Sequence, residues 1–148
     1  MNTCDVLISG TGIAGLTLAL HLIENQPELK IILLSKNDPA LTNTSLAQGG
    51  IASVCNRITD SFEAHIQDTL KAGQGKCKQE VVEMVIKQAP QRLNELIHWG
   101  AQFDTATNGE LDLALEGGHS QNRVVHYKDK TGWHIQTVLW AKIQAEKN

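Results

Sequence analysis

Gly10, Gly12 and Gly15 form the pattern G-x-G-x-x-G inside the run VLISGTGIAGLTLAL. Each glycine has its own physical task. The first allows a tight turn, the second lets a pyrophosphate come close to the backbone, and the third lets helix and strand pack closely. The helix that opens after the turn offers unpaired N–H groups and a positive dipole end to phosphate oxygens. Such a site normally carries an acid about 20 residues on, at the tip of the next strand, to grip a ribose hydroxyl. In this sequence the tip is IILLSK, ending in Ser35 and Lys36. A lysine there can meet an anionic diphosphate or the polar edge of adenosine as a point charge. It can equally be a solvated strand-end lysine.

The elements needed to hold these residues are legible nearby. Residues 5–9 are a short apolar run, as expected of a strand buried on both faces. Ile13, Leu16, Leu20 and Ile23 follow at helical spacing, Pro27 comes after the helix end, and residues 29–34 read as a second strand. The stretch 6–23 is uncharged and reaches the minimum length for a membrane span, but its three glycines favour turn chemistry. Strand, turn, helix and strand in this order make the glycine motif a dinucleotide site.

Farther along, residues 37–43 form a polar loop, and paired glycines follow at Gly49 and Gly50. Asp60 and Glu63 suggest a capping pattern, so a helix is expected to start at Asp60 and stop near Gly73 or Gly75. A longer helical pattern covers residues 78–99 and ends at Gly100. Pro90 would clash with the carbonyl of Ile86, which predicts a break or kink. Asn108-Gly109 before alternating Leu111, Leu113 and Leu115 predicts a hairpin turn and strand, with Glu110, Asp112 and Glu116 on the opposite face. Residues 131–147 read as a last helix with Ile135, Val138, Leu139 and Ile143 on one side.

Composition narrows the partners. Charged residues at 20% and a net charge of −3 give no reason to expect nucleic acid or an anionic membrane. The odd cysteines Cys4, Cys55 and Cys77 lack C-x-x-C spacing, which suits a reducing cytosol and argues against a disulfide framework or zinc. They read as small buried apolar residues. His21, His98, His126 and His134 have no metal-ligand spacing, so no metal is expected. His65 follows Phe62 by three and reads as a helix-packing residue. The N-terminus carries Asp5 rather than a basic segment, which argues against a signal peptide.

The blocks VLISGTGIAGLTLALHL, LLSK, TSLAQGGIASV, DSFEAHIQDTLKAGQG, LIHWGAQFD and LEGGHS occur in this order along the chain. In order and spacing they resemble the L-aspartate oxidases, in the flavoprotein superfamily of succinate dehydrogenase and fumarate reductase. The likeness covers essentially the whole chain, and SLAQGG and EGGHS are more specific than the glycine motif. The fold it implies is α/β: a truncated Rossmann-like FAD-binding domain, a parallel sheet with helices plus a mostly helical insertion. Residues 1–50 would be the dinucleotide-binding core and FAD loop, 51–130 the helical insertion and hairpin, and 131–148 the crossover helix.

The resemblance also implies a cofactor and a reaction. Members of this superfamily commonly end the second strand in a hydroxyl residue and a lysine, so Ser35 and Lys36 fit FAD. The implied FAD-binding set is Gly10, Thr11, Gly12, Ile13, Ala14, Gly15, Ser35, Lys36, Asn43, Thr44, Ser45, Leu46, Ala47, Gln48, Gly49 and Gly50. Succinate dehydrogenases and quinol-linked fumarate reductases carry, where Asn43 stands, a histidine bonded covalently to FAD. An amide cannot form that bond, so FAD is expected to be non-covalent. The reaction implied is oxidation of L-aspartate to iminoaspartate, with oxygen or fumarate reoxidising the flavin and quinolinate synthase consuming the product on the route to NAD.

In this family the acid of the EGGHS block, here Glu116, is thought to orient substrate. A carboxylate there can pair with the ammonium group that distinguishes aspartate from succinate. Its other reading is an exposed strand-end acid. His119 could line the same pocket or be a hydrogen-bonded structural histidine. The family's catalytic arginine and substrate-binding histidines are implied to lie outside these residues. The isolated chain is therefore expected to be inactive, to bind FAD weakly or not at all, and to self-associate through an open sheet edge. The alternatives are a flavoprotein subunit of the fumarate reductase or succinate dehydrogenase type, and a non-catalytic FAD-binding remnant.

Overall fold

The computed structural model describes residues 3–146. The chain forms two compact units. One contains the residues up to Gln48, the short stretch Trp99–Ala101 and the residues from Lys130 on; the other contains Gly49–His98 and Gln102–Asp129.

The first unit is built on β1 (Val6–Ser9), α1 (Ile13–Asn25) and β2 (Ile31–Leu34). The two strands run parallel in register from Val6 opposite Ile31 to Ser9 opposite Leu34. The Asp5 carboxylate accepts from the Lys30 N–H at 2.9 Å and fastens the pair where it begins. Leu16, Ala19 and Leu20 are fully buried on one face of α1. The expected strands 5–9 and 29–34 thus appear one or two residues shorter, and among the described residues β1 pairs only with β2.

The final helix, α4, spans Thr131–Ala145 and packs against α1, with Ile135 and Leu139 buried. Its expected last residue, Lys147, lies outside the described residues. Trp99, buried, donates its indole N–H to Glu24 Oε1 at 2.7 Å, and its ring meets His21 edge-on. Gly100 follows with φ +107°, a left-handed turn that glycine adopts freely.

The second unit pairs two helices with a small antiparallel sheet. Helix α2 spans Phe62–Ala72 and α3 spans Gln79–His98. Strands β3 (Ile51–Ala52), β4 (Leu113–Ala114) and β5 (Val124–Val125) lie in the order β3-β5-β4. The predicted hairpin is present in minimal form: Thr105 bridges Leu111 around the turn at Asn108-Gly109.

Four expectations are corrected. Helix α2 does not start at Asp60. Ser61 caps it, its hydroxyl accepting from the Ala64 N–H at 3.1 Å, because both Asp60 oxygens are taken by Arg123. The break expected at Pro90 is absent, since α3 spans it from Gln79 to His98. A helical proline costs about 3 kcal/mol, but Ile86, Leu93 and Leu96 lie buried on one face on both sides of it. Burying each contributes about 1.5–3 kcal/mol, so the helix survives. The alternation after Leu111 fails at Leu115, which is 57% exposed, because the ladder with β5 ends at Ala114. The cysteines are free thiols as expected, but Cys55 is exposed and neither Cys4 nor Cys77 is fully buried.

Candidate functional site

In the first unit the glycine motif has the geometry its spacing predicts. Gly10 turns the chain at φ +111°, and no atom lies within 4 Å of where its Cβ would be. Gly12 is the N-cap of α1, with no side-chain cap and no acidic residue in the first turn. A Cβ on Gly15 would sit 2.0 Å from the Gly10 carbonyl oxygen, so helix and strand could not approach as they do. Thr11 is buried and donates to the Ser35 hydroxyl at 3.3 Å, joining the turn to the end of β2. Lys36, next to it, is exposed, as are Ala14 and, by 38%, Ile13.

The following loop closes on this turn. Thr44 Oγ1 accepts from the Ile13 N–H at 3.0 Å, so one of the donors at the start of α1 is taken by the protein itself. Ser45 and Thr42 exchange side-chain and backbone hydrogen bonds at 2.8–3.1 Å, which folds residues 42–46 into a compact turn. Asn43, Leu46, Ala47 and Gln48 are exposed. Gly49 and Gly50 belong to the second unit. Gly49 is open, whereas a Cβ on Gly50 would lie 2.4 Å from the Val125 carbonyl oxygen, so Gly50 serves packing on β5.

Two residues of α4 hold this arrangement and carry no motif. A Cβ on Gly132 would sit 2.0 Å from Thr44 O and 2.7 Å from Ala47 O. Gln136, 2% exposed, donates from Nε2 to Thr11 O at 2.7 Å and to Pro39 O at 3.0 Å. Their periodicity in the sequence is that of an ordinary helix, and only long-range contacts reveal their task. Gly132→Ala should push the Thr44–Ala47 backbone away, at a cost of about 1–3 kcal/mol, the range for overpacking. Flavin titration should show weaker binding by at least about tenfold, the affinity equivalent of 1.4 kcal/mol. Unchanged affinity would show that the loop accommodates the methyl.

In the second unit Glu116 lies exposed after β4, at the head of a turn closed by the His119 N–H to the Glu116 carbonyl at 3.1 Å. Gly118 takes φ +89°. Ser120 gives its N–H and hydroxyl to Asp68 Oδ2 at 2.8 and 2.7 Å. Arg123, fully buried, donates from Nη1 to the same oxygen at 2.6 Å and binds Asp60 through Nε and Nη2 at 2.9 and 2.8 Å. Sequence reasoning missed Arg123, Asp60 and Asp68 as a group. A single buried arginine has no local signature, although Val124-Val125 beside it could have signalled a strand.

His119 meets His65 edge-on, with ring centroids 5.6 Å apart, and each has a buried Nδ1 with no hydrogen-bond partner among the described atoms. Burial and then the Arg123 charge push the His65 imidazole below its usual range, which keeps it neutral. His119 lines a cavity of about 450 Å³ with Asp68, Lys71, Ala72, Gly118 and Ser120. Among the described residues no group of side chains could hold a metal ion.

The family model for the FAD binding domain matches residues 5–147. The chain belongs to the FAD-binding domain family. Its relatives include L-aspartate oxidase of Yersinia pestis, 45% identical over 148 residues covering 97% of this chain and 27% of the relative. The chloroplastic L-aspartate oxidase of Oryza sativa is 40% identical over 144 residues, covering 97% of this chain and 22% of the relative. Among solved structures, the quinol fumarate reductase FrdA chain of E. coli superposes with a TM-score of 0.88 at 33% identity, covering 97% of this chain and 24% of that one. The Mycobacterium smegmatis Sdh1 complex gives 0.85 at 31% identity, covering 95% and 24%. The chain thus spans about a quarter of the length of these relatives.

The residues present fit FAD. The open space over Gly10, and a helix end with no acidic residue in its first turn, would suit a diphosphate, although Thr44 Oγ1 already accepts from the Ile13 N–H there. The acid that would grip a ribose hydroxyl is replaced by Ser35, whose hydroxyl also meets Thr11.

Proposed function

We propose that this FAD-binding segment belongs to an L-aspartate oxidase, which oxidises L-aspartate to iminoaspartate with oxygen or fumarate as final acceptor. The observation that carries this reading is Glu116. It is an exposed carboxylate on an anchored turn, in a chain 45% identical to the Yersinia pestis oxidase. Bound FAD supplies the acceptor for the hydride leaving the substrate α-carbon. Gly10, Gly12, Gly15, Ser35 and Lys36 would hold the cofactor together with residues 43–48 of the same unit, while Glu116 would pair with the ammonium of aspartate and set its orientation. The product is an imine, suited to consumption by quinolinate synthase in NAD formation. No helix among the described residues is long and apolar enough to cross a membrane. The free thiols suit a reducing compartment such as the cytosol.

A second reading, a flavoprotein subunit of the fumarate reductase type, is supported by the likeness to FrdA. Substrate oxidation separates the two. The complete FAD-loaded protein should consume oxygen with L-aspartate and leave succinate untouched. Succinate oxidation without aspartate turnover would favour the second reading. Asn43 adds a cofactor test. Acid or urea should release the yellow colour into the supernatant, and flavin retained on the precipitated polypeptide would rule out non-covalent binding.

A further inference from the structure

Glu116 stands on a turn of mostly exposed residues, in which His119 packs edge-on against His65. Leu115, Glu116, Gly117, Gly118, Ser120, Gln121 and Asn122 are all exposed. Two of them are glycines, the residue type with most backbone freedom to lose. Polar anchors hold the turn. At its base the Arg123 N–H donates to the Ala114 carbonyl at 3.2 Å, closing the segment between β4 and β5. At its far side one oxygen of Asp68, on α2, accepts three hydrogen bonds, two from Ser120 and one from Arg123. Arg123 is in turn fixed by its two bonds to Asp60. A chain of short charge-assisted bonds therefore runs from α2 to a point four residues from Glu116.

We propose that Asp68 is a positioning residue for Glu116: it locks the turn from which the substrate-orienting carboxylate projects. This rests on the reading of Glu116 given above. Burial works against the charge of Asp68, but the hydrogen bonds from Ser120 and Arg123 outweigh it and hold the carboxyl at about 2. Asp68 is therefore a fixed acceptor throughout the neutral range.

The three bonds converge on one oxygen, so an amide oxygen can replace it. In the complete FAD-loaded protein, Asp68→Ala should lower kcat/KM for aspartate about tenfold or more, whereas Asp68→Asn should stay within about threefold of wild type. Fumarate reduction by Asp68→Ala should change by less than about threefold, a split that general damage to the fold would not produce. In a Glu116→Gln background Asp68→Ala should remove less than a further about twofold. The same loss in both backgrounds would overturn the proposal. Amide hydrogen exchange supplies a reading without turnover. Residues 116–122 should exchange faster in Asp68→Ala, and unchanged exchange there would also overturn it. Faster exchange with no kinetic effect of Glu116→Gln would support the anchor and refute the substrate role of Glu116. Should Asp68→Ala fail to fold, Ser120→Ala removes one donor and leaves α2 intact, and should give the same pattern at smaller size.

Discussion

Arg123→Met should lower the unfolding free energy by about 3–5 kcal/mol, the range for removing one partner of a buried charge pair. Arg123 is fully buried, and its side chain bonds to Asp60, itself buried, and to Asp68. Methionine keeps much of the apolar stem but leaves two carboxylates without their cation. Adding Asp60→Asn should restore part of the loss, because it removes the more deeply buried unpaired charge. Urea unfolding at fixed FAD concentration is the measurement, and a loss under about 1 kcal/mol would mean that water reaches the cluster and screens it.

Acid should act on the same group. Asp68 titrates at about 2 in the folded protein, against about 3.9 in an unfolded chain. The stability it contributes is present above the unfolded value and disappears as pH falls through the folded one. His65 acts in the same direction from higher pH. Its folded value is lowered, so the unfolded chain takes up the proton first and stability begins to fall below about 6.5. A urea midpoint that stayed constant from pH 7 to pH 3 would contradict both.

On the function proposed above, Glu116→Gln in the full-length protein should lower aspartate turnover by about 2–4 kcal/mol in transition-state terms, the cost of losing one charged partner across a recognition contact. The amide preserves shape and removes charge. Fumarate carries no ammonium, so its reduction should lose much less. Equal losses in both activities would show that Glu116 supports the turn or meets a carboxylate common to the two substrates.

The nucleotide-binding half of the fold was legible because its signals are local. Gly10, Gly12 and Gly15 mark a turn, and Leu16 and Leu20 mark a buried helical face. The readings that failed depended on distant partners. Asp60 and Glu63 form a sound capping pattern, yet Asp60 belongs to Arg123, and Ser61 takes its place. Pro90 should break a helix, yet an apolar face on both sides of it carries α3 through. Strands β3 and β5 have two residues each, too few for any period to register. Gly132 and Gln136 look like ordinary helix residues until Thr44, Ala47 and Thr11 are seen against them. The glycine turn was therefore visible in the sequence, while the helix that braces it was hidden.

The discontinuous first unit also sets an order of events during synthesis. β1, α1 and β2 emerge from the ribosome first, but α4, which packs on α1, begins only at Thr131. The intervening stretch of roughly 100 residues takes roughly 5–20 s to translate at 5–20 residues per second. Throughout that delay α1, whose Leu16, Ala19 and Leu20 are fully buried in the finished fold, lacks the helix that packs against it. The nascent chain therefore passes through a window of seconds in which its nucleotide-binding half is sticky and open to chaperone capture. That window closes only when α4 leaves the exit tunnel.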